Sequence, residues 1–176
     1  PGDKFMHRDN ATKQFMKLYR ENQDAFPSGS SEEDYKRKLE KAYPIHPELF
    51  DQLYTSWGSL EKFQRTRGVL RLMAQVIHDL WLSSDPSVMI MPGNIGVSAG
   101  RVEPELTRYL EANWQSVIAG DVDGASATPL QIDQSAPNLA RFSATRRVAR
   151  TIFMGTAPLH GQENKGIDQK VINLGV

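Results

Sequence analysis

The residues of this sequence best suited to chemistry are arginines, gathered in two short segments. In Phe63-Gln64-Arg65-Thr66-Arg67-Gly68-Val69-Leu70-Arg71 a glycine lies near the start of an apolar, helix-periodic stretch, and Arg71 follows three residues later. A guanidinium fixed on a rigid helix can form paired bonds to phosphate oxygens, and its charge persists at any working pH. Arg71, Gly68 and Arg67 are therefore candidates for contacting a nucleotide phosphate. The same spacing also allows Arg65, Arg67 and Arg71 to pair with acidic side chains on neighbouring helices. In the second segment, Arg146, Arg147 and Arg150 fall on one side of a helix, with Arg141 just before it. Three clustered cations suit a phosphate, a nucleic-acid backbone or a neighbouring subunit's nucleotide, and equally suit a solvated basic face.

Other chemistries find no footing. A phosphate-cradling Gly-x-x-x-x-Gly-Lys-Ser/Thr loop is absent, and no Gly-Lys pair occurs anywhere. The apolar run Val88 to Met91 ends in Pro92 rather than in a magnesium-binding acid, and Gly93-Asn94-Ile95-Gly96 reads as a turn. No His-x-x-x-His pair, Gly-x-Ser-x-Gly elbow or ligand-spaced acidic cluster is present, so no metal site is expected. His46 reads as the residue that leads into a helix at Pro47, and His78 as a neighbour of the core.

The elements that must hold these arginines are mostly helices. Asn10 can cap a helix bearing Phe15, Leu18 and Tyr19; Ser30 and Glu33 form a capping-box pair before a charged helix that Pro44 ends. Pro47 opens a third helix with Leu49, Phe50, Leu53, Tyr54 and Trp57 at helical spacing. Gly68 to Leu82 carries the strongest pattern: Val69, Leu72, Met73, Val76 and Leu80 form one stripe, which Leu70, Ile77 and Trp81 widen, predicting a helix in the middle of the core. Arg67, Arg71 and His78 fall off that stripe. Val88 to Met91 is predicted as a short strand and Glu103 to Ala119 as one helix closed by Gly120. Asp121 to Pro137 is predicted as loop. Ser143 caps a last helix with Val148, Ile152 and Phe153 on one face, stopped by Gly155, and Gly155 to Gly166 is predicted mobile. The fold class expected is mostly α with one or two short strands: a helical subdomain over residues 1–84, then strand, helices and long loops over residues 85–176.

With 176 residues, 39% of them hydrophobic, the chain can bury a substantial core. Lys plus Arg equals Asp plus Glu at 21 each, so any contact with nucleic acid must come from a local patch. No cysteine is present, and no apolar run approaches the ~20 residues that a membrane span requires. A soluble, cytoplasmic protein with no membrane partner is expected. The start on Pro1-Gly2, and the strand-like Val171-Ile172-Asn173-Leu174 close to the end, predict a piece of a longer protein.

Three stretches carry a family resemblance: Ala42-Tyr43-Pro44-Ile45-His46-Pro47-Glu48-Leu49-Phe50, the Phe63 to Arg71 segment, and Phe142-Ser143-Ala144-Thr145-Arg146-Arg147-Val148-Ala149-Arg150-Thr151-Ile152-Phe153. From Tyr43 to Gly175 the chain resembles a large family of bacterial and archaeal AAA+ ATPases that carry a domain of unknown function. Those proteins are often encoded beside adenine-specific DNA methylases in defence islands. The resemblance implies that the P-loop core lies N-terminal to the matched region, and that this chain forms a helical lid bundle. It implies that Gly68 and Arg71 match the Gly-x-x-Arg pattern of a sensor-2 helix, whose arginine reaches the terminal phosphates of ATP. ATP and magnesium would belong to the full-length protein, with none expected for this piece alone. The implied partners are the rest of the ATPase chain, further copies of it, and DNA or a DNA-methylase system. The rival reading, from a different class, is a nucleic-acid- or protein-binding module that uses the Arg141 to Arg150 face.

Overall fold

Apolar residues at helical spacing become helices along nearly the whole chain. A computed structural model describes residues 2–159, 161 and 166–176; the rest of the predicted mobile segment, 160 and 162–165, lies outside the described residues. Among the described residues ten α-helices follow one another: α1 (Gly2–Glu21), α2 (Glu33–Ala42), α3 (Pro47–Thr55), α4 (Arg65–Leu82), α5 (Val102–Thr107), α6 (Trp114–Val117), α7 (Thr128–Ser135), α8 (Pro137–Ala140), α9 (Ala144–Thr156) and α10 (Gln169–Leu174). The mostly α class is realised.

The main core joins α3, α4, α5 and α9 through Leu49, Leu53, Leu72, Val76, Leu106 and Phe153. At its centre Trp57 is fully buried between Phe63 and Phe153, and its indole N–H donates to Met154 O at 2.9 Å. A second cluster gathers Met16 and Tyr19 of α1, Leu39 of α2, Leu174 of α10, and Met89 and Met91 from the connection after α4. The core stripe of α4 is buried as its spacing predicts, with Val69, Leu72, Met73 and Val76 inside. The widening residues are not: Leu70, Ile77 and Trp81 face outward, because α4 is packed on one side only.

Several boundaries move for identifiable reasons. The predicted strand at Val88–Met91 reduces to one parallel bridge between Ile45 and Ile90, and among the described residues no second strand pairs with it. Val171–Leu174 is helical rather than a strand: the Asp168 carboxylate accepts from Lys170 N–H and caps α10. The single helix over Glu103–Ala119 is broken into α5 and α6. The break lets Tyr109 meet Phe63 edge-on while Trp114 does the same at Phe153. A π-helical turn over Ile118–Val122 then absorbs Gly120, so that glycine is not a stop. The predicted loop over Asp121–Pro137 contains α7, whose Pro129 sits in the first turn where its missing N–H is harmless. Asn10 lies inside α1, and α2 begins after Glu32 without a side-chain cap, its Ser30 hydroxyl donating instead to Pro27 O. Helix α9 runs through Gly155 to Thr156.

His46 does lead into α3. It is fully buried, and its Nδ1 accepts the Glu48 backbone N–H at 3.2 Å, which leaves the ring proton on Nε2, 2.9 Å from Tyr19 Oη. Burial lowers the pKa of the ring from 6.5 to about 3, and it raises that of the Tyr19 hydroxyl. The folded state thus holds His46 neutral, whereas the unfolded chain takes up a proton near pH 6.5. Stability from this site is complete above that pH and falls as the pH drops towards 3. A loss of ~2 kcal/mol by pH 5 is expected in urea titrations, and a His46→Gln chain should lose most of that slope.

Candidate functional site

The first arginine segment shapes a cleft at the start of α4. A 3₁₀ turn over Glu61–Phe63 leads through Gln64 and Arg65, both at positive φ (52° and 25°), into the helix. Gln64 caps α4 without a side-chain bond, and its backbone carbonyl accepts the Arg67 amide at 3.0 Å. The chain can pass this closely only because residue 68 is glycine: a Cβ there would strike the Phe63 carbonyl oxygen and come within 3.0 Å of its ring. Gly68 is therefore fixed by packing and does not touch any ligand through a side chain.

The resulting cleft, about 270 Å³, is lined by Lys62, Gln64, Arg67, Arg71, Arg108 and Tyr109. Arg71 is half exposed, at 49% of its side chain, and its Nε and Nη2 reach the two carboxylate oxygens of Glu105 at 3.3 Å each. Arg108 Nη1 and Tyr109 Oη also reach Glu105 Oε1, at 3.3 and 3.2 Å. Both separations from Arg71 are long for a charge-assisted bond, whose usual N–O distance is about 2.7–2.9 Å. Arg67 is exposed. Four cations thus line the cleft, and two of them, Arg71 and Arg108, share the Glu105 carboxylate beside it. Of these residues the sequence singled out Arg67, Gly68 and Arg71. It gave no signal for Lys62, Arg108 or Glu105, which are ordinary charges on their own elements until the fold gathers them.

The second arginine segment is arranged differently. Asp123, with 1% of its side chain exposed, receives Arg146 Nη2 at 2.8 Å and Arg150 Nη2 at 2.7 Å on one oxygen, and the Ser98 amide on the other. Arg147 leans towards Asn94 Oδ1 at 3.5 Å, and burial lowers the pKa of its guanidinium. Arg141 is exposed and stacks over the neighbouring Phe142 ring at 5.0 Å. Ser143, the predicted cap of α9, adopts φ 48° and makes no side-chain cap. The cap comes from Asp133 of α7, whose two oxygens accept the Thr145 and Arg146 amides at 2.9 and 3.2 Å. Sequence reading missed both Asp123 and Asp133.

Among the described residues no three His, Asp or Glu side chains come together as a metal cage requires, and no helix is long and apolar enough to cross a membrane. No curated protein and no solved structure matches this chain. The profile of one family does, described as the DUF499 second domain, over residues 4–169. A match that spans nearly all of the helices and both arginine segments places the chain: it belongs to the DUF499 second-domain family.

Proposed function

We propose that this domain is the lid side of an AAA+ ATPase, whose cleft at the start of α4 receives the terminal phosphates of ATP held by a separate core. The observation that carries the reading is the charge of that cleft. Lys62, Arg67, Arg71 and Arg108 line one cleft at the start of an 18-residue helix, and two of them, Arg71 and Arg108, share the Glu105 carboxylate beside it. Helix N-termini and guanidiniums both favour a phosphate there. Arg71 is the residue best placed to respond, being half exposed and held to Glu105 only by long contacts, so a phosphate competes for it on favourable terms. The positive φ of Gln64 and Arg65 is the kind of local strain that tends to collect at binding sites.

In this reading Arg71 senses the phosphate state, and the hydrolysis cycle drives movement of the lid against a partner, DNA being the one suggested by the defence-island resemblance. The Arg146 and Arg150 guanidiniums lie against buried Asp123, which makes them poor candidates for an external contact in this conformation. The test is ATP turnover by the full-length protein. Arg71→Ala should lower it on the order of a hundredfold, with the fold intact by circular dichroism. Turnover at the normal rate would remove the role.

A further inference from the structure

We infer that the outward face of α4 is a self-association surface, on which a second copy of this chain packs its own α4 antiparallel to the first. The face is apolar where a surface helix is ordinarily polar: Leu70, Ile77 and Trp81 are 66%, 49% and 82% exposed, and Ala74 is exposed between them. Leu70, Ala74, Ile77 and Trp81 follow one another at spacings of four, three and four residues, the rhythm of a coiled-coil seam. No other part of the described chain covers them.

The pattern is complementary to itself when reversed. Laid antiparallel about a two-fold axis between Ala74 and Ile77, Leu70 of one copy meets Trp81 of the other, and the small Ala74 meets the large Ile77. Such an interface is isologous and closes on itself as a dimer. A hollow of about 220 Å³ beside Trp81, lined by Ile77, Leu80, Asp85, Met89 and Ile90, offers the incoming Leu70 a place to insert.

Charge selects the orientation. Arg67 lies one turn before Leu70, and Asp85 lies just beyond the end of the helix past Trp81. Antiparallel packing sets Arg67 against Asp85 at both ends, whereas parallel packing would set Arg67 and Arg71 against their own copies. The inference shares Arg67 with the nucleotide reading, and the two are told apart because this one is read as mass and the other as turnover.

Sedimentation of the 176-residue chain from micromolar to near-millimolar concentration tests it. A reversible monomer–dimer equilibrium is expected, with a Trp81 emission that shifts to the blue as the dimer forms. Trp81→Ala should raise the dissociation constant about tenfold or more, as loss of a central aromatic anchor does. Arg67→Asp should weaken the dimer, and Arg67→Asp combined with Asp85→Arg should restore it. Because these side chains lie on the surface, circular dichroism of each variant should match that of the parent. A chain that stays monomeric throughout leaves the face to a different protein and overturns the inference. So does a dimer indifferent to Trp81→Ala, or a charge swap that fails to restore association.

Discussion

Asp123→Ala should destabilise the chain by ~3 kcal/mol or more, the range found when one member of a buried ion pair is removed. The carboxylate is almost wholly enclosed and holds Arg146 and Arg150 together, as well as the Ser98 amide. Without it, two guanidiniums of like charge face each other in a partly buried space, and the Ser98 amide loses its acceptor. The cost belongs to the stranded cations more than to any intrinsic worth of the pairing. A chain in which Asp123, Arg146 and Arg150 are all replaced by apolar residues of similar volume should therefore recover most of the loss. Urea unfolding monitored by Trp57 fluorescence reads both. A loss below about 1 kcal/mol for Asp123→Ala would show that the network is solvated in solution.

Gly68→Ala gives a result whose sign is informative. In an unencumbered helix interior, alanine is favoured over glycine by about 1 kcal/mol, so a glycine with no packing role would be improved by the change. Here the added methyl group would collide with the Phe63 carbonyl oxygen, a backbone atom that cannot rotate away, in a residue that is itself buried in the main core. Destabilisation of ~3 kcal/mol is expected, at the upper end of what overpacking costs. A stabilised Gly68→Ala chain would mean that α4 and the turn before it sit further apart than described. The same substitution bears on the arginine cleft, since moving α4 off Phe63 carries Arg67 and Arg71 away from Lys62 and Arg108.

How far the sequence could be read depended on whether a signal was local. Pro47 and the apolar spacing after it announce α3, and the stripe from Val69 to Val76 announces the buried side of α4. Arg71 reads as off the core because its angular position says so. Its partner does not: Glu105 lies 34 residues away, on a short helix that the apolar spacing extends past its real end at Thr107. Asp123 is likewise 27 residues from Arg150, in a stretch whose Asp, Gly and Ser content suggests only loop. Serine at position 143 suggests a local cap for α9, and the carboxylate that accepts the Thr145 and Arg146 amides arrives instead from Asp133 of α7. Where α10 forms instead of a strand, β-branched residues suggested extension, and the Asp168 cap settled the matter locally. Helical spacing alone puts Trp81 and Ile77 inside, where apolar residues usually lie. Only packing shows that α4 has one covered side and one bare side.

The bond from the Trp57 indole to Met154 O joins residues 97 apart in sequence, and it sets an order of events during synthesis. Helices α1 to α4 leave the ribosome with their local contacts available, whereas the ring of Phe153 and the carbonyl of Met154 that meet Trp57 belong to α9 and arrive late. Until it does, the nascent chain presents the inner face of α4 as well as its bare outer one, so a growing chain stalled before Ala144 is the species that a ribosome-associated chaperone should hold longest.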